Sequence, residues 1–276
     1  MPNTPSIIGL TLNYRDAVRT YHCVQSLLDN GIQAIVVWDN SADGGQSLSE
    51  VQTYWNNDQR VLIIPSLTNL GFAAGVNRGI EQIAKRWPNA WVMLINNDAI
   101  LRPGALNVLA AALHKHPQTV VAYPSINHAG RIIGTPFYQP HFALLTFDHP
   151  LPGSFPFPSG CAQLIAPERT ALPLYDEKFF MYGEDTMLGW CLGSKHMVHV
   201  PKVLVDHEGN ASSGMGSVFY ETHMAAAHWI LARKIPHHFV GLTIMLIGRA
   251  LGAPSYLMKY LGLLSPNIHS HTERIG

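Results

Sequence analysis

Short apolar runs alternate along this chain with segments whose apolar residues recur every three or four positions. Ser6 to Asn13 is an apolar run that stops at Asn13-Tyr14-Arg15. Val18, Tyr21, Val24, Leu27 and Leu28 then share one helical face, and Asn30-Gly31 supplies a stop signal. Ala34 to Trp38 reads as a second strand ending in Asp39-Asn40-Ser41, with Asp43-Gly44-Gly45 as a turn. Leu48, Val51, Tyr54 and Trp55 mark the next helix, Val61 to Pro65 a third strand, and Ala73 to Arg86 a third helix. A fourth strand, Val92-Met93-Leu94-Ile95, is apolar at every position, the mark of a strand covered on both faces. It stops abruptly at Asn96-Asn97-Asp98, and Arg102-Pro103-Gly104 opens another helix-like segment.

Strand–helix alternation at this spacing predicts an α/β protein, with a mostly parallel sheet between helices. The pattern changes after Pro124. Ile126 to Thr135 reads as a hairpin around His128-Ala129-Gly130, Gln139 to Pro158 as a loop rich in Pro and Phe, and Val218 to Leu264 as helical. The predicted plan is a core over residues 1–214 and a helical carboxy-terminal extension over 215–276. Phe239 to Leu264 is apolar but interrupted by Arg249, Pro254 and Lys259, short of the roughly 20 apolar residues of a spanning helix. Aromatic residues beside Arg233-Lys234 suit a membrane interface. Helix packing on the core or on a second subunit fits the same pattern, and periodicity does not separate these readings.

Composition narrows the function classes. With 18 basic and 18 acidic residues the formal charge is zero, which argues against a nucleic-acid partner. Charged residues make up 13% of the chain, against about 25% in an ordinary soluble protein. The cysteines, Cys23, Cys161 and Cys191, are scattered and show no CxxC spacing, so neither a disulfide framework nor a zinc site is expected. A reducing cytoplasm fits, and Met1 to Pro5 has no signal-peptide pattern.

In open α/β sheets ligands bind beyond the carboxyl ends of the strands. Asn13, Asp39 and Asn96-Asn97-Asp98 all stand there. Asp39 is either a turn residue or a ligand contact. The segment Asn69 to Gly79 carries small residues where backbone would approach a phosphate at a helix start, yet matches neither the P-loop nor GxGxxG spacing. Phe179 to Asp185 ends in adjacent carboxylates, Glu184 and Asp185. One reading is a cap plus dipole compensation. The other is a general base. Adjacent residues do not share a helix face, so Asp185 is assigned to the site and Glu184 to its support. His207 ends the apolar run Val203-Leu204-Val205, flanked by Asp206 and Glu208. An imidazole with a carboxylate suits a divalent metal, Mn²⁺ more readily than Mg²⁺.

With these residues in hand, Ile7 to Gly214 resembles a family 2 glycosyltransferase of the GT-A fold, in particular the bacterial rhamnosyltransferase-like branch. The Asn-Tyr end of the first strand, Asp39-Asn40-Ser41, Asn69-Leu70-Gly71, Asn96-Asn97-Asp98, Tyr175 to Phe180, Glu184-Asp185 and His207 follow in family order. The resemblance implies that Asp39 contacts a nucleotide base with Asn13 nearby. Asn69, Gly71, Asn77 and Asn97 would line the nucleotide-sugar pocket. Asp98, at the place of the family's DxD motif, and His207 would hold Mn²⁺ or Mg²⁺, and Asp185 would be the base. It implies inverting transfer from a dTDP- or UDP-sugar to a hydroxyl of a glycan or lipid-linked acceptor in bacterial surface polysaccharide or glycolipid synthesis. A cytoplasmic protein, peripheral at the inner membrane face and compatible with a homo-oligomer, would follow. Two positions depart from the pattern. Asn96 replaces the first DxD carboxylate, and Thr186-Met187-Leu188-Gly189-Trp190 stands where relatives carry a further acid and an arginine. A catalytically silent nucleotide-sugar-binding protein is the alternative from another class. A nucleotidyltransferase would want a basic Gly-rich loop near the amino terminus, where Ile7 to Asp16 offers only Arg15.

Overall fold

The computed structural model describes residues 5–55, 58–208 and 217–236, together with positions 240, 243 and 247. The chain opens with β1 (Ile7–Asn13), α1 (Ala17–Asp29), β2 (Ile35–Asp39), α2 (Gln46–Trp55), β3 (Val61–Pro65), α3 (Gly71–Arg86) and β4 (Trp91–Ile95). These are the elements the apolar pattern predicts. Next come β5 (Ala99–Leu101), α4 (Ala105–Lys115), β6 (Val121–His128), β7 (Arg131–Ile133), β8 (Pro136–Gln139), β9 (Leu144–Phe147) and β10 (Phe155–Pro156). The described elements end with β11 (Ala162–Ile165), α5 (Glu184–Leu192), β12 (Met197–His207) and α6 (Val218–Lys234).

A nine-stranded sheet runs in the order β3-β2-β1-β4-β11-β6-β12-β5, with β7 paired to β6. Strands β1 to β4, β6 and β12 share one direction, and β5, β7 and β11 run against it. The two faces explain why β4 is apolar throughout. Trp91, Met93 and Ile95 pack with α1, α2 and α4, whereas Val92 and Leu94 pack with α3, α5 and α6. Every side chain of β4 is at most 1% exposed. Burying each stabilises the fold by about 1.5–3 kcal/mol, so polar residues can begin only where helix cover ends, at Asn96.

The predicted hairpin is the β6–β7 pair. Gln139 to Pro158, expected as one loop, instead contributes β9 and β10, which pair with β8 in a separate three-stranded sheet. Strands of two to four residues interrupted by Pro are too short to display a period of two, so their pattern was illegible.

Helix α6, in the predicted extension, packs on the same core through Ala227 and Leu231, joined by Ile235 just past its end. The buried His228 Nδ1 lies 3.0 Å from Tyr138 Oη, and Lys234 pairs with Asp176. The predicted boundary at 214/215 falls outside the described residues, as does the apolar stretch 239–264 apart from positions 240, 243 and 247. Among the described residues no helix is long and apolar enough to cross a membrane.

Candidate active site

Strand ends β1, β2 and β4 are tied by a chain of polar side chains. Asn97 Nδ2 donates to Thr20 Oγ1 at 3.1 Å, and the Thr20 hydroxyl donates to Asn13 Oδ1 at 2.7 Å. Asn13 Nδ2 donates to Asp39 Oδ1 at 2.9 Å, and that oxygen also takes the Ser41 hydroxyl at 2.6 Å. Parallel register makes this possible, because Asn13 and Asp39 are direct neighbours on β1 and β2. Both are buried, and neither lies in the wall of the neighbouring cleft.

That cleft, of about 290 Å³, opens beyond the strand ends. Asn40, Asn69 and Gly71 line one side, Asn96, Asn97, Asp98 and His207 another, and Gly160, Tyr182, Glu184 and Asp185 the rest, with Phe219 from α6. Asn40 clamps the start of α3, donating from Nδ2 to the Gly71 carbonyl at 2.8 Å and accepting from Leu70 N–H at 3.1 Å. Asn69 Oδ1 accepts from Gly71 N–H at 2.9 Å. Gly71 has φ +78°, a conformation glycine tolerates without strain.

Asp98 and His207 meet across 109 positions of sequence. His207 Nε2 lies 3.1 Å from Asp98 Oδ1, with the side chains 13% and 11% exposed. Strand pairing brings them together: His207 sits opposite Ala99 on antiparallel β5, one residue beyond Asp98. Alternation turns its neighbour Asp206 elsewhere, where Arg102 grips it in a two-point ion pair at 2.6 and 2.7 Å. Behind His207, its Nδ1 lies 3.0 Å from His128 Nδ1.

Glu184 and Asp185 begin α5, after Gly183 in a left-handed conformation. Asp185 Oδ2 accepts from Gly160 N–H at 3.1 Å and Oδ1 from Thr186 N–H at 2.7 Å. Burial raises the Asp185 carboxyl above its ordinary value, and these donors oppose the rise by favouring the charged form. Glu184 is raised by burial and then by the Asp185 charge, and its Oε2 is buried without a hydrogen-bond partner among the described residues. The helix-face argument expected one carboxylate in the site. Both line the cleft, because the cleft meets α5 at its first turn rather than along one side.

Asn77 lies away from the cleft wall. Its Nδ2 donates to the Tyr175 carbonyl at 2.8 Å and its Oδ1 accepts from Tyr175 N–H at 3.0 Å, so the amide is consumed in holding the loop that precedes Phe179. Its assignment to the pocket lining is therefore corrected: the structure makes Asn77 a bracket of the fold. Sequence reasoning missed Gly160, Tyr182 and Phe219. Asn40 carried a signal, as the middle of a polar triplet at a strand end. Gly160 carried none.

A family model for glycosyl transferase family 2 matches residues 6–166, more than half of the chain. The chain belongs to that family. It is 26% identical over 262 residues to the N-acetylglucosaminyl-diphospho-decaprenol L-rhamnosyltransferase of Mycobacterium tuberculosis, covering 83% of this chain and 82% of the relative. Among solved structures it resembles GalNAc-T7 with UDP, GalNAc and Mn²⁺, at TM-score 0.59 and 14% identity, over 82% of this chain and 48% of that one. The chain thus spans about half the length of that structure. It also resembles the mannosyltransferase PcManGT from Pyrobaculum calidifontis in complex with GDP-Man and Mn²⁺, at TM-score 0.57 and 13% identity, over 95% and 80% of the two chains. These likenesses establish the GT-A fold.

The family 2 glycosyltransferase has no cluster of three or more His, Cys, Asp or Glu among the described residues that would hold a metal alone. The residues present nevertheless fit a divalent ion shared with a ligand. Two adjacent ligands of an octahedral ion with bonds of about 2.1 Å stand about 3.0 Å apart. Asp98 Oδ1 and His207 Nε2 are separated by 3.1 Å. Asn96 Oδ1, in the same wall, is buried without a hydrogen-bond partner among the described residues.

Proposed function

We propose that this glycosyltransferase moves a rhamnosyl or other hexosyl group, with inversion, from a dTDP- or UDP-sugar to a hydroxyl of a lipid-linked acceptor in bacterial surface glycan synthesis. The observation that carries the reading is the single cleft on which an Asp98–His207 pair and the anchored Asp185 carboxylate both open. The mycobacterial relative's name supports the rhamnosyl donor and the lipid-diphosphate acceptor.

In the proposed reaction Asp185 takes the proton of the acceptor hydroxyl. The acceptor oxygen bonds to the anomeric carbon as the bond from that carbon to the diphosphate oxygen breaks, and the nucleoside diphosphate leaves. Gly160 and Thr186 hold the Asp185 carboxylate in place through their N–H groups. Glu184 supports it. Asp98 and His207 would hold Mn²⁺ or Mg²⁺, which when bound supplies Lewis-acid neutralisation of the diphosphate charge. Asn69, Gly71 and Asn97 bind the nucleotide sugar, and the Asn13–Asp39 pair, buried behind the cleft wall, supports the side that takes the base. Domain plan, a cytoplasmic location, peripheral contact with the membrane through the carboxy-terminal segment, and self-association belong to the same proposal.

Titration calorimetry with UDP and dTDP, each with and without Mn²⁺, tests it on the unaltered chain and on Asp98→Ala. Metal-dependent binding of one nucleotide, abolished in the variant, is expected. Absence of binding under every condition would reject the donor site and favour a silent assembly protein.

A further inference from the structure

Strands β6 and β12 run parallel with His128 and His207 as direct register neighbours. The pairing is reinforced by the Ala129 N–H, which donates to the His207 carbonyl at 3.1 Å. The two imidazoles meet through one nitrogen each, Nδ1 to Nδ1 at 3.0 Å, with ring centroids 4.9 Å apart. A contact of that length between two ring nitrogens requires one proton between them, so one ring donates and the other accepts. The remaining ring nitrogen of His207, Nε2, is the atom facing Asp98.

We propose that His128 is a positioning residue that orients His207 and sets its tautomer, so that the Nε2 lone pair is presented to a divalent cation beside Asp98. This inference rests on the reading of Asp98 and His207 as cation ligands. A neutral imidazole carries one proton. With Nε2 given to a cation, that proton sits on Nδ1 of His207 and is donated to Nδ1 of His128. His128 then keeps its own proton on Nε2. Metal-bound histidines generally donate their second nitrogen to an acceptor that fixes the ring, and losing the acceptor costs about 10–100-fold in metal affinity. Here the acceptor is another imidazole rather than a carboxylate. The neighbouring carboxylate, Asp206, is unsuited to that part because Arg102 and Asn127 already occupy it.

The test is a Mn²⁺ titration of the full chain followed by the free-ion electron paramagnetic resonance signal, one series with saturating dTDP and one with UDP. His128→Phe keeps a ring but removes the acceptor, and is expected to weaken Mn²⁺ binding about 10–100-fold. His128→Asn, whose Oδ1 stands near the place of Nδ1, is expected to recover most of the affinity. His207→Ala is measured alongside. Loss in His207→Ala with unchanged affinity in His128→Phe overturns the positioning role. Unchanged affinity in both overturns the metal reading beneath it. Should His128→Phe fail to fold, nitrogen-15 spectra of the histidines in the unaltered chain with Mg²⁺ and nucleotide decide. A proton on Nε2 of His128 supports the proposal, and a proton on its Nδ1 overturns it.

Discussion

The Phe180 carbonyl oxygen fills the space that a β-carbon on Gly71 would need, and accepts from the Phe72 N–H at 2.7 Å. The start of α3 and the loop ahead of α5 are thereby locked together across the cleft, the first carrying Asn69 and the second leading to Asp185.

Gly71→Ala should therefore be costly on two counts. The residue would adopt φ +78° against its preference, and its methyl would collide with backbone that cannot swing away. Strain and overpacking together put the loss at roughly 2–5 kcal/mol. Chemical denaturation is the check, and a near-neutral result would mean that the two loops are not rigidly joined.

Asp185→Asn should lower kcat by about 10²–10⁴-fold while leaving nucleotide affinity within a small factor. The amide oxygen can accept from only one of the Gly160 and Thr186 N–H groups, which Asp185 meets with separate oxygens, so a stability loss of about 1–3 kcal/mol is expected alongside, and the amide takes no proton. Equal losses in kcat and nucleotide binding would point instead to a structural part for Asp185.

Glu184 predicts a pH signature in stability. Its carboxyl is raised above the ordinary 4.5 by burial and by the neighbouring charge. The folded state thus holds a proton more tightly than the unfolded chain. Its contribution is fully present below about pH 4.5 and is lost as pH rises through the folded value. Melting temperatures of the unaltered chain should fall relative to Glu184→Gln as pH climbs upward from about 5. Parallel curves would show that Glu184 ionises normally.

Asn77→Ala should separate fold from site. Both ends of the amide serve the Tyr175 backbone. Truncation strands those buried groups, costing about 1–3 kcal/mol for each left unsatisfied. Nucleotide affinity measured well below the melting temperature should stay within about threefold. A selective loss of affinity with full stability would return Asn77 to the pocket.

Chelation supplies the last prediction. Treating the purified chain with EDTA should abolish nucleotide binding, and Mn²⁺ should restore it in the unaltered chain but not in Asp98→Ala. Restoration in the variant would mean that His207 and the diphosphate suffice.

Much of this was legible along the chain because it is local. An apolar run covered by helices on both faces has to end in polar residues where the cover ends, so Asn13, Asp39 and Asn96-Asn97-Asp98 announced the rim of the sheet. Other features depended on which strands became neighbours. The reversed strand β11 between β4 and β6, the small sheet built from β8, β9 and β10, and the use of Asn77 as a bracket left no periodic trace. The family resemblance proposed Asp98 and His207 as partners, but only the pairing of β12 with β5 and β6 set His207 between Asp98 and His128. Periodicity records which face a side chain turns toward. Which distant side chain it meets there is decided by packing the whole sheet.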